Sequence, residues 1–182
     1  PLIITLFQGQ NFSVDDVTKV TSSLQAYTLG LVAFMAIKIF APGYYSRQDT
    51  KTPVRIGIIA MVANMVMNIV LVFVFDFAHT GLALATSLAA MLNAGLLMRG
   101  LIKQGVFQFQ SGWILFLARV MFANIVMCAF LWFVAGDWQL WLDWSIWQRI
   151  LEMSILTIGG FLLYAGSLFV AGMRLQHFRG QE

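Results

Sequence analysis

Polar side chains inside long apolar stretches are the residues of this chain whose type and spacing could do chemistry. Asn64 and Asn68 are four residues apart, so a helix would present both on one face. Thr86 lies at a similar depth in the next apolar stretch, one turn after Leu82. Two amide oxygens, a hydroxyl and a freed backbone carbonyl near Leu82 could ligate a hard monovalent cation, because such ions prefer oxygen donors. The alternative is an interhelical hydrogen bond worth about 1 kcal/mol, which the lack of a neighbouring carboxylate favours.

Basic residues near the ends of the apolar stretches allow two interpretations. Lys38 and Arg119 each lie inside a stretch, and Arg47 lies in the loop that follows Lys38. Long basic side chains can extend to the membrane surface and contact lipid headgroups. They could instead line a cytoplasm-facing cavity and attract a phosphate or pyrophosphate, which guanidinium groups bind well. Arg149 and Glu152, three residues apart, are expected to form a structural ion pair.

The sequence patterns of the common catalytic sites are missing. The two histidines, His79 and His177, fall outside the apolar stretches and do not form an HExxH pair. The chain has no GxSxG elbow, no Walker A loop and no cysteine cluster. Its single cysteine, Cys128, rules out an internal disulfide and is expected to be a small buried apolar residue. We therefore predict neither an enzyme nor a bound cofactor.

Five apolar stretches dominate the 182 residues, and each is long enough to cross a bilayer. A helix needs about 20 apolar residues to span the hydrocarbon core. With 60% hydrophobic and 10% charged residues, the chain could not cover a soluble surface. We expect an all-α, polytopic bundle of transmembrane helices. The predicted spans are 24–43, 54–75, 80–98, 113–135 and 150–173.

The charges of the connecting loops predict the orientation of the spans. Lysine and arginine are concentrated in or next to 44–53, 99–112 and 174–182, whereas aspartates dominate the other loops. Short cytoplasmic loops collect basic residues, so these three segments and the C-terminus are expected to face the cytoplasm. The net charge of +3 thus reflects membrane topology and does not indicate a nucleic-acid-binding surface.

The apolar stretches and the polar loops between them predict four segments. Residues 1–23 would hold the end of a preceding span and a periplasmic loop, and 24–98 three spans. A cytoplasmic loop would cover 99–112, and 113–182 two further spans with a cytoplasmic tail. Pro42 and Gly43 are expected to end the first span, and Thr52-Pro53 to open the second.

Tryptophans recur at intervals of three in the loop 136–148. Because tryptophan favours the headgroup region, we expect a short helix lying flat in the outer interface. The alternative is that the rings stack on carbohydrate. The residues concerned are Trp138, Trp141, Trp144 and Trp147.

Two motifs resemble a known family. The loop APGYYSRQDTKTP, residues 41–53, is similar to the AP-x-[FY]-Y-[SA]-x-x-D-x-K-T-P loop of the MurJ (MviN) lipid II flippases. The segment GLALATSLAA, residues 81–90, followed by Leu92-Asn93-Ala94, looks like the helix that comes next in that family. Both occur in the family's order and separation, with Asn68 in the family's position. The resemblance extends over essentially the whole chain.

The resemblance implies a fold, a substrate and a place in the cell. The fold would be that of the multidrug/oligosaccharidyl-lipid/polysaccharide exporters, with these spans as helices ten to fourteen of fourteen. The substrate would be lipid II, moved from the cytoplasmic to the periplasmic leaflet of the bacterial inner membrane by alternating access. The last two helices, 113–135 and 150–173, would form a groove for its lipid tail.

The resemblance also bears on the cation and on partners. Some family members bind sodium between helices seven, eleven and twelve, which supports Asn64, Asn68 and Thr86 as ligands. Sodium or the membrane potential would then drive transport. Cell-wall synthesis proteins would be partners besides lipid II and membrane lipids. Three other functions remain open: an exporter of drugs or polysaccharide-linked lipids, a membrane scaffold for cell-wall enzymes, and a membrane transferase.

Overall fold

A computed structural model of the chain describes residues 1–7, 13–75, 77–108, 112–137 and 139–172. These residues form helices and connecting turns, without a strand in the described ranges. The helices, in chain order, are α1 (Leu2–Phe7), α2 (Val14–Tyr45), α3 (Lys51–Ile69) with a π-helical continuation (Val70–Val74), α4 (Ala78–Lys103), α5 (Trp113–Ala135), α6 (Leu140–Asp143) and α7 (Ile146–Val170).

Five of these helices are long and apolar enough to cross a membrane, as the sequence predicts. Many of their large apolar side chains are exposed on the outer faces, where a soluble protein would carry polar groups. The all-α polytopic fold class is therefore confirmed. The candidate spans are Asp15–Tyr45, Lys51–Val74, His79–Lys103, Trp113–Ala135 and Ile146–Val170.

The chain forms two compact units. The first contains Pro1–Asn11 and Phe109–Glu182, and so holds α1, α5, α6 and α7. The second contains Phe12–Gln108, with α2, α3 and α4. In the second unit α4 is the central helix, because it packs along both α2 and α3 while those two barely contact each other. The four segments predicted from the sequence remain a prediction.

Small residues let α2 and α4 approach closely. The hydroxyl of Ser87, on α4, is buried and donates a hydrogen bond of 2.7 Å to the carbonyl of Ala26, on α2. Gly30, one turn after Ala26, lies directly against Ser87. Ala33, Ala90 and Ala94 continue the contact toward the other end of the pair. Membrane helices associate by such packing and by interhelical hydrogen bonds, so this seam holds the second unit together.

Replacing Gly30 by alanine should destabilise the protein. A Cβ atom at this position would lie 2.7 Å from the Ser87 hydroxyl oxygen and 2.8 Å from its Cα, so the backbones must separate. We expect a loss of roughly 1–3 kcal/mol, typical of overpacking. Thermal unfolding of the protein in detergent would measure it. Gly95→Ala is the matched control, because no atom lies within 4 Å of its Cβ position. Equal stability of both variants would contradict the role of Gly30.

The first span does not end at Pro42, in contrast to the sequence prediction. α2 continues through Pro42 and Gly43 to Tyr45. Tyr44 is 0% exposed, and its hydroxyl donates a 2.7 Å hydrogen bond to the carbonyl of Leu97 on α4. A side chain at Gly100 would overlap this hydroxyl. The anchored tyrosine therefore keeps the end of α2 helical despite the proline.

The turn after α2 is a Schellman motif. The Asp49 N–H donates to the Tyr44 carbonyl at 3.1 Å, and the Gln48 N–H to the Tyr45 carbonyl at 2.9 Å. Gln48 has a φ of 60°, the left-handed conformation that this motif requires at its penultimate position. The motif turns the chain sharply toward α3.

Asp49 caps the start of α3. One of its carboxylate oxygens accepts a 3.0 Å hydrogen bond from the Thr52 N–H. Hydrogen bonds from Thr52 hold the pKa of the Asp49 carboxyl below its usual value. α3 begins at Lys51, so Pro53 lies inside its first turn, where a missing N–H costs little. The predicted opening of the second span near Thr52-Pro53 is thus correct within two residues.

In the other unit, α5 packs along α7, and Trp141 is part of the connection between them. The Trp141 indole is 1% exposed and donates a 2.9 Å hydrogen bond to the carbonyl of Ala135, the last residue of α5. A short helix, α6, forms in this loop as predicted, but the Trp141 ring is buried against the end of α5 and is not available to lipid headgroups. Trp147 is exposed at the start of α7, and Trp138 lies outside the described residues.

Candidate functional site

A groove runs between α2 and α3 in the second unit, with α4 as its floor. Its volume is about 630 Å³. The inner surface is built from small residues such as Gly57, Ala60 and Ala89, which leave space between the helices. The polar residues that line it are Asn64, Asn68, Thr86 and Asn93. The groove therefore brings together three of the four predicted cation ligands.

The two asparagines of α3 form one hydrogen-bonded pair. The Asn68 Nδ2 atom donates to the Asn64 Oδ1 atom at 2.6 Å, as expected for helical residues four apart. This bond orients the Asn68 amide so that its own Oδ1 atom is buried without a hydrogen-bond partner. A buried amide oxygen without a partner costs about 1–3 kcal/mol, so the site has an acceptor available for a cation or a donor.

The carbonyl of Leu82 is not free, in contrast to the sequence expectation. Leu82 lies within α4, and its carbonyl accepts a 2.8 Å hydrogen bond from the Thr86 hydroxyl. A hydroxyl that donates in this way keeps its oxygen lone pairs available as an acceptor. The Leu82 side chain is exposed and is not among the residues that line the groove. Thr86 is therefore better placed toward the groove than Leu82.

The irregular backbone in this region belongs to α3 and follows Asn68 directly. The π-helical segment Val70–Val74 has a 3.1 Å hydrogen bond from the Phe75 N–H to the Val70 carbonyl. The Leu71 carbonyl accepts the Phe77 N–H at 3.1 Å, and a Cβ atom at Gly81 would lie 3.2 Å from that carbonyl. Short π segments occur frequently at functional sites. The π-helical segment was not predicted, because the sequence Val-Leu-Val-Phe-Val gives no distinct signal for it.

Asn93 is a further polar residue of the groove. Its Oδ1 atom is buried without a hydrogen-bond partner. Seven residues separate it from Thr86, which places it roughly 10 Å along the α4 axis. The groove thus carries unpaired acceptors at two depths. The family motif contains Asn93, but the sequence analysis gave it no ligand role.

The three predicted headgroup residues lie in different environments. Lys38 and Arg47 are exposed on the second unit, Lys38 on α2 and Arg47 in the turn after it. Neither lines the groove. Arg119, on α5 in the other unit, is half-buried, and its Nη2 atom lies 3.7 Å from the Cβ position of Gly172 at the end of α7. A cation is favourable at a helix C-terminus, so this position has a structural explanation.

A second groove lies on the first unit, between α5 and α7. Its volume is about 530 Å³, and α1 contributes to one wall. The residues around it are predominantly apolar: Pro1, Leu2, Met127, Leu131, Ala135, Met153, Leu156, Thr157, Gly160, Phe161 and Tyr164. Such a surface could hold an aliphatic chain but offers little to a sugar or a phosphate.

Cys128, on α5, is exposed, so its predicted burial is wrong.

Comparison with known proteins gives one consistent result. Residues 1–152 match the family model described as "Lipid II flippase MurJ". A "Probable lipid II flippase MurJ" of Vibrio cholerae is 44% identical over 98% of the chain, and one of Haemophilus influenzae 41% over 97%. A "Lipid II flippase MurJ" of Burkholderia cenocepacia is 36% identical over 98%. The chain spans 34% of the length of each of these relatives.

Proposed function

The chain belongs to the lipid II flippase MurJ family, and from this premise we propose that it takes part in moving lipid II across the bacterial inner membrane. Five membrane-length helices and the family make it part of a multi-pass membrane protein of that membrane. Transport would run from the cytoplasmic to the periplasmic leaflet by alternating access, with the C-terminus in the cytoplasm. The family is one of transporters and not of enzymes.

The apolar groove between α5 and α7 is the observation that carries this proposal. A lipid II flippase must shield a pyrophosphate and sugars from hydrocarbon while the prenyl tail stays in an apolar environment. Charged groups cost several kcal/mol within the membrane, whereas the tail needs only an apolar surface. The groove offers such a surface along two membrane-spanning helices. We assign it to the tail.

The basic residues Lys38, Arg47 and Arg119 are proposed contacts for the pyrophosphate or for lipid headgroups. Each carries a positive charge, and among the described residues none of the three forms an ion pair. The exposed Lys38 and Arg47 side chains are available to an anion, whereas Arg119 would have to leave the end of α7. Arginine binds phosphate oxygens through two parallel hydrogen bonds.

The groove between α2 and α3 is proposed as a cation site. Asn68 Oδ1 is the principal ligand, since it is buried and unpartnered, with Asn64 and Thr86 contributing further oxygens. The Leu82 carbonyl, which already accepts the Thr86 hydroxyl, would be a shared ligand. Sodium binding, or a membrane potential worth about 2.3 kcal/mol per charge at 100 mV, would bias one transport state.

Alanine substitution of the basic residues tests transport against a scaffold role for cell-wall enzymes. In the full-length protein, Lys38→Ala with Arg119→Ala should reduce the export of lipid II at least tenfold if they hold its phosphates, since each contact to a charged group contributes about 1.5–3 kcal/mol. The measurement is the fraction of lipid II that an external probe reaches in cells dependent on this protein. Arg99→Ala, which changes another exposed arginine, is the control. A scaffold or a mere lipid contact would leave export unchanged.

A further inference from the structure

Arg149 lies at the start of α7, where the sequence predicts a pair with Glu152. No ion pair joins the two residues, both of which the structure describes. A positive charge at a helix N-terminus is also unfavourable, because it faces the positive end of the helix dipole. Its position therefore needs another explanation.

The Arg149 guanidinium binds backbone carbonyls near the C-terminal ends of α6 and α1. Its Nη2 atom donates to the Leu142 carbonyl of α6 at 2.9 Å, and its Nη1 atom to the Ile4 carbonyl of α1 at 3.5 Å. Both carbonyls belong to final helical turns, where carbonyls lack partners within the helix. Cations are favoured there, so α1 and α6 compensate for the unfavourable end of α7. We call these two hydrogen bonds the Arg149 clamp.

The clamp lies in a partly buried place. Ile4 is 2% exposed, and the Arg149 Nε atom is buried without a hydrogen-bond partner. A planar guanidinium can reach two carbonyls in different directions, which a lysine ammonium on a single flexible stem does less well. Loss of the guanidinium would leave the Leu142 and Ile4 carbonyls without this connection.

α1 forms part of two cavities on α7. Pro1 and Leu2 line the apolar groove of about 530 Å³, and Leu2 also lines a neighbouring cavity of about 330 Å³ together with Thr5 and Leu6. α7 contributes Met153 and Thr157 to both. The start of α1 therefore forms part of one wall of the groove.

We propose that Arg149 is a positioning residue that holds α1 as a wall of the α5/α7 groove and so sets how tightly the groove binds an apolar chain. That the chain is a prenyl tail rests on the proposed function. The hydrogen bonds to Ile4 and Leu142 and the contribution of α1 to the groove are features of the structure itself.

Hydrogen exchange and lipid binding, measured on the full-length protein in detergent, test the proposal. Arg149→Met keeps the apolar stem and removes the donors. We expect exchange of the α1 amides to accelerate roughly threefold to tenfold, as for the loss of one long hydrogen bond, with exchange in α6 also faster and the membrane-spanning helices unchanged. The affinity for a long-chain polyprenyl phosphate should fall by roughly threefold to tenfold. Arg149→Lys, which keeps a positive donor, should show smaller changes in both α1 exchange and polyprenyl phosphate affinity. The control Arg99→Met should change neither quantity.

The possible results of this experiment distinguish a failure of the Arg149 clamp from a failure of the proposed tail-binding function. Unchanged α1 exchange in Arg149→Met would overturn the clamp, and accelerated exchange with unchanged polyprenyl affinity would overturn its role in the groove. Accelerated exchange throughout the protein would show a merely structural residue and also contradict the proposal. If the unmodified protein binds no polyprenyl phosphate, the assignment of the groove to the tail fails, and α1 exchange still decides the clamp.

Discussion

Replacing Phe161 by arginine should abolish lipid II translocation while leaving the protein folded. Phe161 lines the apolar groove between α5 and α7, and the residue is 69% exposed. A guanidinium placed there must lose its hydration, or displace the apolar chain, whenever a tail enters. Loss of that hydration when the tail enters should cost about as much as moving an arginine into a membrane interior, about 2.5–3.5 kcal/mol, so the affinity for the tail should fall roughly 100-fold.

Leu162→Arg is the control for this experiment. Leu162 is the next residue of α7 and is similarly exposed at 62%, but it does not line the groove. Both variants carry the same cost of inserting a charge into the membrane, and only Phe161→Arg places that charge where a tail would bind. Translocation is measured in cells that depend on the full-length protein, with the amount of folded protein in the membrane determined in parallel. Equal translocation by both variants would refute the groove assignment.

The helices could be predicted from the sequence because membrane solvation is a simple constraint. Long apolar stretches and the distribution of lysine and arginine need no knowledge of tertiary contacts. The ends of the helices were less predictable. Pro42 and Gly43 are helix terminators by local preference, but the buried Tyr44, bonded to Leu97 some fifty residues later, overrides them. The burial of Trp141 was also not predictable from local sequence, because its indole is held by a hydrogen bond to the Ala135 carbonyl at the end of α5.

The residues of the candidate cation site could be predicted from the sequence, but their hydrogen-bond partners could not. Four-residue spacing predicts that Asn64 and Asn68 share a face, and the structure shows them bonded. The partner of the Leu82 carbonyl depends on the rotamer of Thr86, which the sequence does not determine. The unpaired oxygen of Asn93 depends on the packing of three helices. Likewise, Arg149 reaches Ile4, a residue far away in the chain, instead of the nearby Glu152.

Replacing Asn68 by leucine should abolish any stabilisation of the full-length protein by sodium. The Asn68 Oδ1 atom is the buried, unpartnered oxygen that α3 contributes to the groove, and leucine has a similar volume without a ligand atom. At a sodium concentration about 100 times the dissociation constant, the bound ion contributes about 2.7 kcal/mol to stability, all of which the variant would lose. The measurement is thermal unfolding in detergent with sodium, compared with choline as the replacement cation.

Two further variants determine what an altered sodium response means. Asn124→Leu removes another half-buried amide, which donates to the Val120 carbonyl within α5 and lies outside the groove, so it should keep the full response. Asn68→Asp adds a carboxylate at the same position and should shift the response to lower sodium concentrations, because opposite charges attract strongly in a partly buried site. An unchanged sodium response in Asn68→Leu would remove Asn68 from the ligands. A response lost in both leucine variants would point to general destabilisation, whereas loss in Asn68→Leu alone would place the ion at the end of α3 that adjoins the π-helical segment.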